Sequence, residues 1–457
     1  MPDYIFMLQS RLSPEQWQLL NRLQDLAQTI PVNLYLVGGA VRDLMTGSPI
    51  RDLDFAVEGN VQRFVRLLDE AEFRSFQWEQ RRRAAEIDFQ NGVLCSIELA
   101  RTEIFSKPGE LPEVKPAPIL EDLRRRDFSI NAIGISLNPG SRGLLLDPTN
   151  GLADLESRTL RLLHNYSFLH DPVRVLRLVR FRTRLGLTAE PRTEELFELA
   201  LEKRYTDLIT AAAAGCEMTQ LTREDNPTAI LKAWQGHGLL EVFHDKLQRR
   251  GPDYKGLGKF QKYRQAALSA GYVFDPHRPV LFYVMRRLKS REAYTLLRNI
   301  GLRGKGAESV VGLESEAKKV AKPLSGRRVT KPRQIYDLLQ PVAIELLVFT
   351  LTWFSQKRKI QAKVYNYLFR YRPLRQQLPV RELELLGVPH GAKFDEILER
   401  FFYARLDGKL RNRAKQVRFL NKLAGVAKPA KKTRKAAGKP RLRPPAAKSK
   451  PAKSKSP

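Results

Sequence analysis

The sequence predicts an α/β domain over residues 1–151, an all-α remainder running to residue 425, and a disordered basic arm at 426–457. Three observations predict it. Short β-like runs at Asn33–Val37, Leu53–Val57 and Val93–Leu99 are punctuated by Gly-, Pro- and Asn-rich turns up to Asn150. From Leu152 to about Leu423, apolar residues recur at helical spacing and strand-like alternation nearly disappears. Residues 426–457 hold 12 Lys or Arg, six Pro, no acid and no aromatic, so they lack the apolar surface that folding needs.

The first element is a helix. Ser13 supplies an N-cap, Pro14 the first helical position and Gln16 the capping-box partner. Trp17, Leu20, Leu23 and Leu26 follow at helical spacing. Next comes Leu36-Val-Gly-Gly-Ala-Val-Arg-Asp43, where Gly38 and Gly39 end an apolar run. Glycines let backbone N–H groups come close to a phosphate. The next apolar segment carries Asp52 and Asp54, and alternate residues of a strand face the same side. Paired carboxylates suit Mg²⁺, a hard cation that completes its shell with substrate phosphates. A phosphate cradle beside a metal dyad points to nucleotidyl transfer.

The net charge of +31 in 457 residues demands a polyanionic partner, nucleic acid before an anionic membrane. Two cysteines, Cys95 and Cys216, exclude a disulfide framework and fit a reducing cytoplasm. The six histidines form no metal-ligand spacing. No targeting segment is visible, and the apolar run 342–354 is too short to span a bilayer, so it is expected as a buried helix.

Two further clusters carry chemistry. In 122–132, Arg125, Arg126 and Asp127 stand before an apolar, helix-like run. Arginine forks suit phosphate and ribose oxygens, and Asn131 is expected one turn from Asp127. In 170–181, Asp171 and Pro172 are expected to begin a helix along which Arg174, Arg177 and Arg180 form a basic stripe. Asp171 and Arg174 would present an acceptor and a donor side by side. Cytosine and adenine carry an amino donor next to a ring-nitrogen acceptor, and uracil and guanine reverse that order. The pair therefore matches C and A.

Taken together, these stretches resemble the class II tRNA nucleotidyltransferases, the bacterial CCA-adding and poly(A) polymerase-like family of the polymerase-β superfamily. The motifs are GGAVRD with DLD, ARTEIF…PGELPEV, RRRDFSINA, LLDPTNGLADLESRTLRLLH and SFLHDPVRVLRLVRF. GVPHG at 387–391 and ARLDG at 404–408 resemble the C-terminal pattern of longer CC- and A-adding forms. The resemblance implies a nucleotidyltransferase head at 1–151, a helical nucleotide-selecting neck at 152–225, and a helical tRNA-binding body and tail at 226–425. It implies transfer of CMP and/or AMP from CTP or ATP to the 3′ end of tRNA. Asp52 and Asp54 would hold two Mg²⁺ ions, one acidifying the RNA 3′-hydroxyl and one stabilising pyrophosphate. Gly38, Gly39 and Arg42 would meet the triphosphate, and Arg126, with Asp127 and Asn131, the nucleotide near its sugar. Asp171 and Arg174 would read the base, supported by Arg177 and Arg180. No membrane and no protein partner are implied.

Three departures stand out. His170 occupies the place of a glutamate that would orient Arg174. Ser96 occupies the place of a carboxylate, with Glu98 on the same strand face as its substitute. Residues 74–89 lack the family's Phe-Gly-Thr-like strand, in the region of the loop that governs the switch from C to A addition. Which of CC, A or CCA is added therefore stays open. In the helical remainder, Lys357, Arg358, Lys359, Arg370 and Arg372 interleave with Tyr365, Tyr367, Phe369 and Tyr371. Such cations neutralise phosphates, while the aromatics either stack on bases or form core. The other readings are a poly(A) polymerase and a non-catalytic RNA-binding protein with a degenerate head.

Overall fold

The computed structural model describes residues 3–107, 110 and 112–425. The basic segment 426–457 lies outside the described residues. The chain divides into two units, residues 1–330 with 337–369, and residues 331–336 with 370–457.

The first unit opens on the sheet. Its strands are β1 (Asn33–Val37), β2 (Asp52–Glu58), β3 (Phe73–Glu79), β4 (Ala84–Phe89), β5 (Leu94–Leu99), β8 (Gly134–Ser136) and β9 (Leu145–Leu146), in the order β3-β4-β5-β2-β1-β8-β9. A separate antiparallel pair joins β6 (Arg101–Ile104) to β7 (Glu113–Pro116). Only β2 and β5 run parallel in the main sheet, with Asp52 opposite Leu94 and Asp54 opposite Ser96. The expected strands lie where the sequence places them. Residues 74–89 do not: they form the β3–β4 hairpin, whose turn carries Arg81, Arg82 and Arg83. Glu79 builds that turn by accepting from the backbone N–H groups of Arg81 and Arg82, at 3.0 Å each.

Alternation assigns the two sheet faces. Leu34, Leu36, Leu53, Phe55, Val57 and Ile97 point into a core shared with helices α1 (Tyr4–Arg11), α2 (Pro14–Ala27), α3 (Gly39–Thr46) and α4 (Val61–Val65). The capping box of α2 forms as expected, with Ser13 Oγ accepting from Gln16 N and Gln16 Oε1 accepting from Ser13 N. Tyr35, Val37 and Ala56 face the other side, against Ile119 and Leu123 of α5 (Ile119–Arg124). The odd–even rule of β2 therefore puts Asp52 and Asp54 on the α5 face.

Beyond α6 (Gly151–Glu156) the unit is helical apart from a short parallel pair, Thr159–Leu160 with Thr188–Ala189, which departs from the all-α expectation: α7 (Ser167–His170), α8 (Arg174–Leu185), α9 (Pro191–Glu202), α10 (Ala211–Arg223) and further helices to Asn366. The apolar run 342–354 is a buried helix, Ile344–Trp353, as expected. Among the described residues no single helix is long and apolar enough to cross a membrane. The second unit has its own core, with Leu383, Phe394, Ile397, Phe401 and Leu420 contributed by helices Val380–Leu385, Ala392–Leu406 and Arg413–Ala424.

Two local expectations are corrected. Helix α8 begins at Arg174, not at Asp171, which is an extended residue (φ −129°, ψ 81°) ending α7. Pro172 is the cause, because a residue before proline avoids the helical region. Likewise 129–131 is a single 3₁₀ turn running into β8, not the start of a longer helix.

Candidate active site

Gly38 sits at φ +69° and its N–H donates to Ile133 O at 3.1 Å. It is the N-cap of α3. A Cβ there would stand 2.9 Å from Arg126 Nη1 and 3.8 Å from Asp54 Oδ2, and one on Gly39 would lie 3.8 Å from Asp54 Oδ2. The absence of side chains at 38 and 39 thus leaves room between a helix N-terminus, a guanidinium and a carboxylate. A helix N-terminus of this kind favours anions.

Asp54 Oδ1 accepts from Ser96 Oγ at 2.7 Å. Burial, then the neighbouring Asp52 charge, push the Asp54 carboxyl up to about 7, and the Ser96 hydrogen bond and Arg126 only partly offset this. Two carboxylates crowded on one strand face form a donor pair that a divalent cation would relieve. The described residues contain no cluster of three or more His, Cys, Asp or Glu suited to a metal. The dyad therefore fits a divalent ion only as a site completed by substrate oxygens, which is the usual habit of Mg²⁺. Glu98 does not complete it: its carboxylate is engaged by Arg101 Nη1 at 2.7 Å.

Arg126 is aimed by Asp122, which accepts from its Nη2 at 2.9 Å and from Arg125 Nη2 at 2.6 Å. Asp122 is 1% exposed. Its carboxyl stays below its usual range because the two guanidinium charges outweigh its burial. Asp122, on α5, lies three and four residues before Arg125 and Arg126, which follow the helix.

Asp127 and Asn131 do meet, Nδ2 to Oδ1 at 2.9 Å. They belong to a closed ring. Asn131 Oδ1 accepts from Arg42 Nη1 at 2.6 Å, and Asp127 Oδ2 accepts from Arg177 Nη1 at 2.8 Å. Arg177 and Arg180 donate through Nε to the two oxygens of Glu217, at 2.9 and 3.0 Å. Arg180 continues to Glu224 at 2.9 Å, and Arg184 pairs with Glu224 at 3.5 Å and with Asp43 at 2.9 Å. Asp43 accepts from Arg42 Nε at 2.9 Å and closes the circuit. Arg42 and Arg180 also lie over the Phe181 ring, 5.0 and 4.6 Å from its centroid. Arg42 is 3% and Arg180 5% exposed, so both guanidinium groups are engaged inside the packing between α3 and α8. Asp43, Arg184, Glu217 and Glu224 escaped the sequence reading. Glu217 and Glu224 share a face of α10 and its C-cap at i, i+7, but only the fold brings them to α8.

Asp171 and Arg174 pair with each other, Nε to Oδ2 at 3.2 Å. The Asp171 side chain is 32% exposed and that of Arg174 8%. Arg174 Nη1 donates to Ser167 Oγ at 2.6 Å, so a buried serine orients the arginine, not a residue at 170. His170 instead stacks on Phe105, with centroids 4.9 Å apart and planes at 11°.

The basic–aromatic stretch resolves into parts. Lys357, Arg358 and Lys359 are exposed at the head of helix Arg358–Asn366. Tyr367 is core at 1% exposure, whereas Tyr365 is 43% exposed and contacts Phe369 at 4.8 Å. In the second unit, Arg370 is exposed and Arg372 half-buried.

The fold is a mixed sheet that carries paired carboxylates beside a glycine-capped helix, followed by helical segments. Residues 34–161 match the family model described as Poly A polymerase head domain. The chain is 26% identical over 443 residues to the A-adding tRNA nucleotidyltransferase of Geobacter sulfurreducens, covering 93% of this chain and 49% of that protein. It is 38% identical over 242 residues to the A-adding enzyme of Halalkalibacterium halodurans (51% and 56% covered). It is 37% identical over 182 residues to the CC-adding enzyme of Deinococcus radiodurans (40% and 48% covered). The chain spans about half the length of the curated relatives it matches. A solved CCA-adding enzyme in an apo form superposes with a TM-score of 0.52 at 25% identity, covering 91% of this chain and 98% of that one. The likeness to tRNA nucleotidyltransferases expected from the motifs is thus borne out in sequence and in fold.

Proposed function

We propose that the chain is a template-independent tRNA nucleotidyltransferase that adds CMP and/or AMP from CTP or ATP to the tRNA 3′ end. The observation that carries this reading is the convergence of Asp54, the Gly38–Gly39 helix start and Arg126 on one sheet face. The sequence relatives support it, since they include A-adding and CC-adding enzymes.

Asp52 and Asp54 are the residues that would hold Mg²⁺. The chemistry such an ion supplies is acidification of the attacking 3′-hydroxyl and neutralisation of the departing pyrophosphate. Gly38 and Gly39 admit the triphosphate to the α3 N-terminus, and Arg126, steadied by Asp122, adds a positive fork. Asp171 and Arg174 present an acceptor and a donor to the base edge. Ser167 fixes the arginine, which limits the rotamer freedom lost on binding. Arg42, Arg177 and Arg180, with Asp127 and Asn131, act as positioning residues by tying α3 to α8. The exposed cations Lys357, Arg358, Lys359 and Arg370, together with Arg372, contribute phosphate neutralisation along the tRNA. We assign the head to 1–151, the selecting neck to 152–225 and the tRNA-binding body and tail to 226–425. The free cysteines, buried Cys95 and exposed Cys216, suit a reducing cytoplasm.

The experiment supplies labelled CTP or ATP with tRNA ending before CC, tRNA ending after CC, and unstructured RNA. Incorporation into one or both tRNAs, and not into unstructured RNA, is expected. Extension of unstructured RNA by ATP alone would make the chain a poly(A) polymerase. No incorporation into any substrate, with tRNA still bound, would leave a non-catalytic RNA-binding protein.

A further inference from the structure

Helix α7 carries a cluster of rings that the proposed chemistry does not use. Tyr166 and His170, one turn apart, have centroids 5.9 Å apart and planes at 30°. Phe105, which follows β6, lies on His170 at 4.9 Å and 11°. The cluster is therefore assembled from the head and the neck, with His170 in contact with both other rings. Tyr166 is 66% exposed, although it is a large aromatic in a well-packed region.

Its position is specific. Tyr166 immediately precedes Ser167, which holds Arg174, and His170 immediately precedes Asp171. Tyr166 and His170 thus stand on the one turn of α7 that ends at Asp171 and carries Ser167, the partner of Arg174. The charged groups around His170 are Arg174, whose Nε meets Asp171, and His164, whose Nε2 lies 2.7 Å from Arg124 O. Burial, then Arg174 and His164, push the His170 imidazole down, so at neutral pH it is an uncharged stacking ring. A supported, exposed aromatic next to cations is the arrangement that takes an unpaired base, because every base has a π-face. Its support restricts Tyr166 before binding, which reduces the ordering cost of a stacked complex.

Resting on the nucleotidyl-transfer reading, we infer that Tyr166, backed by His170 and Phe105, is a stacking platform for an unpaired nucleobase held beside Asp171 and Arg174. Two sources share that chemistry, the base at the RNA 3′ end and the base of the incoming nucleotide.

Fluorescence of 2-aminopurine separates them, because stacking quenches it. One arm places 2-aminopurine at the 3′ end of the tRNA, and the other uses its riboside triphosphate. Binding is followed without turnover, on the full chain, for wild type, Tyr166→Ala and Tyr166→Phe. Wild type and Tyr166→Phe are expected to quench in at least one arm. Tyr166→Ala is expected to lose the quench in that arm and to bind the probe about five- to a hundredfold more weakly, the range typical of one base–aromatic stack. Unchanged thermal melting of Tyr166→Ala excludes a folding defect, as its exposure predicts. Absence of quenching by wild type in both arms, or equal quenching and affinity by wild type and Tyr166→Ala, overturns the platform. Quenching through Tyr166 in a chain that incorporates neither CMP nor AMP would overturn the catalytic reading and leave the platform standing.

Discussion

Asp54 shows what a strand does to a carboxylate. The period of β2 puts it on the same face as Asp52, burial and that neighbour raise its pKa, and Ser96 secures one of its oxygens. Replacing Asp54 by Asn keeps the shape and removes the charge. Incorporation should fall roughly a thousandfold or more, the usual cost of losing a metal ligand, while tRNA affinity stays near wild type. Single-turnover incorporation and filter binding measure the two quantities. A second carboxyl offers a test without catalysis. Burial pushes Glu345 up to about 7 despite Arg278 at 3.6 Å. A carboxyl raised in the folded state binds its proton more tightly there than when unfolded. Its contribution to stability is therefore present at low pH and lost as pH rises toward and through 7. Arg278 keeps Glu316 as a partner, at 2.9 Å. Glu345→Gln should match wild type below about pH 4 and melt higher at pH 8, by about 1–3 kcal/mol in stability. Equal melting at both values would show that the carboxyl ionises freely in the fold.

At the scale of the element, α8 is held by charge on one face and by apolar packing on the other. Val175, Leu176, Leu178 and Val179 are buried, and the Trp234 indole donates to Leu176 O at 3.0 Å. Arg177 and Arg180 both depend on Glu217, which is 2% exposed. Glu217→Ala would leave two guanidinium groups short of a partner, at a cost of about 3–5 kcal/mol. Its thermal melting should fall accordingly, whereas Glu217→Gln, which still accepts hydrogen bonds, should lose less. Asp127 gives the pH dependence of the same ring. Burial would raise its carboxyl, but Arg177 and Arg174 hold it far below the usual carboxylate range. A depressed carboxyl stabilises the fold above its unfolded value of about 3.9 and ceases to do so as pH falls through its folded value. The stability gap between wild type and Asp127→Asn should therefore be full at pH 6 and shrink steadily below about pH 4. A gap independent of pH in melting curves would mean that the pair contributes through shape alone.

At the scale of the molecule, the charge of +31 is unevenly distributed along the sequence, with 12 cations in residues 426–457. That segment has no aromatic for stacking and no acid, so its composition supplies counterion release without base readout. Each phosphate neutralised contributes roughly −0.7 to −0.9 to the log–log salt slope. If about four of those cations engage at once, deleting 426–457 should flatten the tRNA-binding slope by about three and leave nucleotide choice unchanged. Titrations from about 50 to 300 mM salt span the range in which screening changes most. Superimposable slopes would show that the segment does not touch the RNA.

The sequence alone determined the α/β-then-α order, the strands β1, β2 and β5, the capping box of α2, and the shared face of Asp52 and Asp54. Each follows from a local rule: alternation, helical spacing, capping chemistry. Asp122 was missed, although its arginine partners stand only three and four residues away; the orienting role had been expected of Asp127, which the fold pairs with Arg177 instead. Tertiary structure alone decided the rest. Asp43, Glu217 and Glu224 bind arginines of α8 from remote segments, and no local periodicity encodes a pairing across 37 or more residues of chain. The β3–β4 hairpin was hidden because its apolar residues, on an edge strand, give weak alternation. The aromatic column joins Phe105 to residues 61 and 65 positions later, a juxtaposition that only the packing of head against neck creates.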